Sequence, residues 1–290
     1  MNPPLGRRQF IHATLGTAIA AQAAPAPPKA PPPKPQPHII DVNVHLSQWP
    51  FRRLPDDAPE KLAKRLRQNG VLQAWAGSFD GILHRDFAAV NQRLTAECKQ
   101  HGPDLFLPVG TLNPTQPGWQ DDLQRCIDQH GMKVIRLYPN YHSYTLADPA
   151  FGRLLSIATA KNLVVQIVAQ LEDARTQHPQ VQVSPVDFKP LPALLKDQPE
   201  HRVMILNANR AMTMTALAGS NVWIDIAMLE GVAGIENLLT DWPANRLVFG
   251  SHSPFFYWEA ARLKVQESEL DEAKTRVILH GNARAMIGMV

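Results

Sequence analysis

"IIDVNVH", residues 39–45, is the stretch on which the reading of the fold turns. Isoleucine and valine favour a pleated strand, and strict alternation places Asp41, Asn43 and His45 on one face of it. An amphipathic run follows, "PEKLAKRLRQNG" at residues 59–70, which closes on Gly70 as a helix C-cap. From there the two-part unit repeats. "VLQAWAG", "LFLPVGTL", "KVIRLYP", "LVVQIVAQ", "RVMILNA", "NVWIDIAM" and "RLVFGSH" read as further strands. Helical stretches lie between them, among them "DFAAVNQRLTAECKQHG", which ends on Gly102. Strand then helix, eight times over, predicts the α/β class and a (β/α)8 TIM barrel. A doubly wound open sheet needs no eighth strand and usually brings a glycine-rich phosphate loop, which this chain lacks.

The chain has 290 residues, long for one ordinary domain but within the size that such barrels reach, and 44% hydrophobic residues supply an ample core. A formal net charge of +3 without a basic run argues against nucleic acid, so the expected partner is a small-molecule substrate. Homo-oligomerisation stays open. Cys98 and Cys126 lack the spacing of a zinc site or redox motif. They read as two buried thiols or as a disulfide between neighbouring helices.

Residues 1–37 stand apart from the fold. Paired Arg7 and Arg8, Phe10, and a mildly apolar stretch ending in Ala21-Gln22-Ala23 match a bacterial export signal of the twin-arginine type over residues 1–23. That stretch is too short to span a bilayer, so no stable membrane span is expected. Residues 24–37, "APAPPKAPPPKPQP", form a proline-rich linker that must be extended. The expected domain is 38–290, and the expected location is the periplasm.

In such a barrel the chemistry sits where strands end. The first strand offers Asn43 and His45, the fourth Arg136 and Tyr138, the fifth Gln166, Val168 and Gln170. Asn207 ends the sixth strand, Asp225 lies on the seventh and His252 ends the eighth. A second polar cluster, Glu172, Asp173, Arg175 and His178, follows the fifth.

"IIDVNVH", "KVIRLYPNYHSY", "RLVFGSHSPFF" and "HGNARAMIG" together resemble the amidohydrolase-related family. Within it, the chain is similar to the metal-dependent hydrolase barrels related to aminocarboxymuconate-semialdehyde decarboxylase. The resemblance implies a zinc-like ion held by two histidines on the first strand and by others ending the fifth and sixth. It also implies an aspartate on the eighth as ligand and general base. Carried over position by position, only His45 matches: Asn43, Val168 or Gln170, Asn207 and His252 stand where the other groups belong. Neutral amides are poor ligands for zinc, so no cofactor is expected. Zinc or another divalent metal on a rearranged set containing His45 and His252 is the alternative.

Three of the altered positions kept hydrogen-bonding side chains, which reads as a repurposed site. His45 and His252 are the expected acid–base pair, because imidazole titrates near neutral pH. Asn43 and Asn207 would orient the substrate or stabilise developing negative charge. Arg136, Tyr138, Arg175 and His178 would anchor it, guanidinium forks being suited to carboxylates. Arg136 has a structural alternative as a buried arginine paired with Asp41 or Asp225. The expected function is an exported hydrolase or lyase acting on a small hydroxylated or carboxylated molecule, such as a sugar lactone or sugar acid. A metal-dependent hydrolase or decarboxylase and a non-catalytic ligand-binding barrel are the alternatives.

Overall fold

Nine parallel strands occupy the eight expected places in the computed structural model, which describes residues 38–196 and 200–288. The export signal and the linker lie outside the described residues. The strands are β1 (Ile39–Leu46), β2 (Val71–Ser78), β3 (Phe106–Pro108), β4 (Gly110–Thr111) and β5 (Val134–Leu137). They continue as β6 (Val164–Val168), β7 (Arg202–Leu206), β8 (Trp223–Asp225) and β9 (Leu247–Val248). β3 and β4 are one barrel strand interrupted at Val109, whose N–H still donates to Ala76 O at 2.9 Å. The first and last strands meet through Val42 N–H to Phe249 O at 3.0 Å and His45 N–H to Ser253 O at 2.9 Å. β5 to β9 are therefore the fourth to eighth barrel strands.

Helices cover the strands as the apolar periodicity requires. Leu62 and Leu66 from the helix Pro59–Gln68 pack with Leu94 and Cys98 from Phe87–His101 and with Ile39 and Val44. Inside the barrel, Val42, Val134, Val164, Met204 and Val248 form a second apolar layer. Gly70 has φ 76°, the left-handed value that a C-cap favours. Gly102 is different: it is extended at φ −165°, and a Cβ there would lie 2.7 Å from the Phe106 ring, so close packing fixes the residue. Cys98 and Cys126 are free and buried, and burial pushes both thiols up to about 12. No described helix is long and apolar enough to cross a membrane.

The pairing of β1 with β2 shifts register twice, between Ile39 and Ile40 and again between Asp41 and Val44, and the second shift bears on the site. Asp41 pairs with Ala74 but Val44 pairs with Ala76, so a bulge puts an extra residue on β1 between them. Asp41 is thereby separated from the face it was expected to share. Its carboxylate takes the Ser251 N–H at 3.0 Å and the indole N–H of Trp258, which opens the helix Trp258–Glu267, at 3.1 Å. Asn43 and His45 bond instead across to β5, β7 and β8.

Candidate functional site

Two polar half-sites meet inside the barrel, both fully buried. In the first, the Asn43 amide donates at 2.7 Å to Asn207 Oδ1 and at 2.7 Å to Asp225 Oδ2. Asn207 returns its backbone N–H to Asp225 Oδ1 at 2.8 Å and gives its amide to Gln170 O at 2.8 Å. Burial pushes Asp225 up to about 7, against these donors and the charge of Lys264. Gly250 makes the approach possible, since a Cβ there would sit 2.6 Å from Asp225 Oδ2.

The second half-site is built on a cation. A guanidinium has five N–H donors, and every one on Arg136 is taken. Nε bonds Gln166 Oε1 at 2.8 Å, Nη1 bonds Val44 O at 2.9 Å and His45 Nε2 at 3.2 Å, and Nη2 bonds Val42 O at 3.0 Å and Trp75 O at 3.1 Å. Arg136 thus keeps no donor for a ligand, and its hydrogen-bond partners are neutral groups rather than Asp41 or Asp225. Tyr138 OH also lies 3.1 Å from His45 Nε2, and burial raises that phenol to about 12. A Cβ on Gly77 would lie 2.8 Å from Arg136 Nη1.

The two imidazoles meet edge to face, with ring centroids 5.7 Å apart. Their hydrogen-bond partners assign opposite tautomers. His45 Nε2 faces a guanidinium hydrogen, so it carries the lone pair and Nδ1 carries the proton. His252 Nε2 lies 2.8 Å from Leu171 O, which only accepts, so Nε2 carries the proton and Nδ1 the lone pair. Asn207 Nδ2 stands 3.4 Å from that Nδ1. Burial, then the Arg136 charge and His252, hold His45 well below its ordinary value. Burial is also the main cause that lowers His252 to about 4.

Two buried polar atoms of this centre have no partner: Asn43 Oδ1 and His45 Nδ1. Unpaired buried groups are rare in folded proteins and call for a functional reason. Backbone strain concentrates here as well. Ser47, Asn207 and His252, which follow β1, β7 and β9, have φ of 61°, 61° and 58°. Such conformations persist in side-chain-bearing residues where the surroundings demand them.

An aromatic cover closes the mouth. Phe79 stacks on His45 at 4.8 Å and Phe255 on His252 at 4.9 Å, and Trp49 touches both phenyl rings. Arg52 clips the cover by an ion pair to the buried Glu172 and lies over the Phe255 ring. Outside Phe255 a cavity of about 490 Å³ is lined by Arg52, Gln170, Glu172, Asn209 and Phe256. Neither imidazole lines it. His178 stacks on Phe51 at the outer edge of the cover, and Arg175, 88% exposed, chelates Asp173. The structure thus brings together Asn43, His45, Arg136, Tyr138, Asn207 and His252, and leaves Arg175 and His178 at the rim.

These residues do not fit a divalent ion. Catalytic zinc needs about three imidazole, carboxylate or thiolate ligands. Among the described residues no group of three or more His, Cys, Asp or Glu is placed to hold a metal. The Asn43 amide turns its nitrogen, not its oxygen, to Asn207 and Asp225, and His45 Nε2 already faces a guanidinium that would repel a second cation.

The family model for amidohydrolases matches residues 40–289. The chain belongs to the amidohydrolase family. Solved structures share the barrel at low sequence identity. 2,6-Dihydroxybenzoate decarboxylase, complexed with 2,6-dihydroxybenzoate, aligns with a TM-score of 0.68 and 14% identity over 87% of this chain and 99% of that one. A dihydroxybenzoic acid decarboxylase from a Polaromonas species, with bound manganese and the inhibitor 2-nitroresorcinol, gives 0.70 and 11% over 87% and 97%. 4-Oxalomesaconate hydratase from Rhodopseudomonas palustris gives 0.64 and 17% over 87% and 96%. No curated protein matches the sequence.

Against this amidohydrolase frame, sequence reasoning found the strand-end residues and missed what surrounds them. Phe79 directly follows β2, Phe255 comes three residues after His252, and Trp49 follows β1 by the same margin. Aromatic residues just beyond three strand ends were the available signal for a cover.

Proposed function

We propose that this amidohydrolase-family protein is an exported, metal-independent hydrolase or lyase acting on a small hydroxylated or carboxylated molecule. The observation that carries the reading is the pair of imidazoles at 5.7 Å, locked in opposite tautomers beside a buried guanidinium. His252 Nδ1 is the base: neutral, with an available lone pair and an orienting carbonyl on the other nitrogen. A bound anion beside it would raise its proton affinity toward the working range. His45 Nδ1–H and Asn43 Oδ1, the unpartnered donor and acceptor, hold polar groups of the substrate. Arg136 supplies fixed positive charge without touching the substrate, and Asn207 orients His252.

The substrate class draws support from the neighbours, whose names are those of enzymes for a dihydroxybenzoate and an oxalomesaconate; a sugar lactone or sugar acid meets the same requirements. Turnover requires Phe79 or Phe255 to swing aside. Export rests on Arg7, Arg8 and the apolar stretch after them, and cell fractionation tests it.

The deciding experiment screens purified protein against small carboxylated and hydroxylated compounds before and after chelation. Activity survives chelation, and His252→Asn lowers kcat by about 10²–10⁴-fold, the scale of losing a general base. Stoichiometric zinc or manganese with activity lost on chelation contradicts the metal-free reading. A near-normal kcat in His252→Asn removes that residue from the mechanism.

The burial of both imidazoles under stacked phenyl rings favours a second reading, a barrel that binds a solute without converting it. Tight binding with no turnover across the same panel would select it.

A further inference from the structure

Elsewhere on the barrel mouth, three loops enclose a cavity of about 460 Å³ that includes none of the central residues. The loops follow β2, β4 and β5. We propose that it binds a small organic anion, a carboxylate or phosphate monoester carried on an apolar body. The inference stands independently of any chemistry at His252.

The walls are fixed in advance. His142 Nε2–H donates to Gly81 O at 2.9 Å, the Asn113 amide to His142 O at 3.2 Å, and the Gln116 amide to Arg85 O at 2.8 Å. Each bond ties one loop to another, so a ligand meets an ordered surface and little ordering entropy is lost on binding.

The cavity's fixed charge is Arg85, which also borders a neighbouring cavity with Asp86, Asp121, Asp122 and Arg125. Arg85 and His84 line the cavity, and no carboxylate does. The acids nearest in sequence are engaged elsewhere: Asp86 caps the next helix at Ala89 N–H, 3.0 Å away, and Asp80 pairs with Arg93 at 2.8 Å. Arg85 makes no ion pair among the described residues, unlike Arg52, Arg53, Arg65, Arg67, Arg93 and Arg125. A guanidinium left unpaired in a cavity is a recognition element for a planar or tetrahedral oxyanion. Thr115 and Ser143 add hydroxyls, and Ser143 is held at φ 58°, a strained value for serine.

The apolar side sets the ligand's body. Leu83, 43% exposed, and the half-buried Tyr141 supply the apolar lining, with the buried Ile82 and Phe87 behind it. A bare ion would leave that surface wet, whereas an aromatic or short aliphatic acid would cover it. The volume lies in the range of small-molecule sites.

Titration calorimetry on the full chain tests this with two probes, benzoate and phenyl phosphate, at fixed ionic strength. At least one binds saturably at a single site, and which one identifies the head group. Arg85→Gln weakens it about tenfold or more, the scale of a charge-assisted hydrogen bond pair. Arg67→Gln, an exposed arginine paired with Asp104, leaves it unchanged. Arg85 is exposed, so its replacement does not threaten the fold. Absence of saturable binding by both probes overturns the proposal. So does binding that Arg85→Gln spares, or that Arg67→Gln weakens equally.

Discussion

His45 and His252 are the same residue type, equally buried and with rings in contact, yet they end up as chemical opposites. His45 lies against Arg136, whose hydrogen occupies Nε2 and leaves a protonated Nδ1 facing no partner. His252 lies against Leu171 O, which occupies the other proton and leaves a lone pair. One ring can only give a hydrogen bond; the other can take a proton. Burial alone does not assign a histidine its role, because both are pushed the same way by desolvation. The neighbour on the far nitrogen decides it.

The strongest way to break this contrast is Arg136→Met. It leaves the buried Val42, Val44 and Trp75 carbonyls without their donor. The expected cost is about 3–5 kcal/mol of unfolding free energy, because each buried carbonyl left unpaired costs about 1–3 kcal/mol. Urea denaturation measures it. A loss below about 1 kcal/mol, the size of one ordinary hydrogen bond, would mean that the guanidinium does not organise the half-site.

Two glycines separate the halves more finely. A Cβ at Gly77 meets Arg136 Nη1 at 2.8 Å, and one at Gly250 meets Asp225 Oδ2 at 2.6 Å. Gly77→Ala and Gly250→Ala each cost about 1–3 kcal/mol by overpacking. Their chemical consequences differ: Gly77→Ala displaces the guanidinium and disturbs His45, while Gly250→Ala disturbs Asn43 and Asn207 through Asp225. Equal chemical-shift changes at both imidazoles in the two variants would show that the halves are not separate.

A smaller effect comes from pH. Burial raises Asp225 from 3.8 to about 7, so the folded state keeps a proton that the unfolded chain has lost. Its contribution to stability is fully present below the unfolded value and disappears as pH rises through about 7. Asp225→Asn therefore flattens part of the fall in melting temperature across that window. Identical slopes in the wild type and the variant would place the titration elsewhere.

How much of this was legible in the sequence follows from what each feature depends on. The barrel was legible, because strand and helix periods are local and repeat eight times. Asn43, His45, Asn207 and His252 were legible as neighbours, because the fold places strand ends around one mouth. The bulge that turns Asp41 toward Trp258 was not, since it arises from pairing with β2 and appears in no local pattern. The sequence left Arg136 open between a substrate clamp and a buried structural arginine, and the engagement of all five donors was not legible for a similar reason. Its oxygen partners include three backbone carbonyls, which any residue provides and no side-chain pattern announces. The aromatic cover assembles from loops far apart in sequence, so its parts were visible but its contacts were not.

Long-range ¹H–¹⁵N correlation spectra of histidine-labelled protein read the opposed tautomers of His45 and His252 directly. Assigned through His45→Asn and His252→Asn, the spectra should show His45 neutral and protonated at Nδ1, and His252 neutral and protonated at Nε2, at neutral pH. The same tautomer on both rings, or an imidazolium on either, would contradict the opposed assignment.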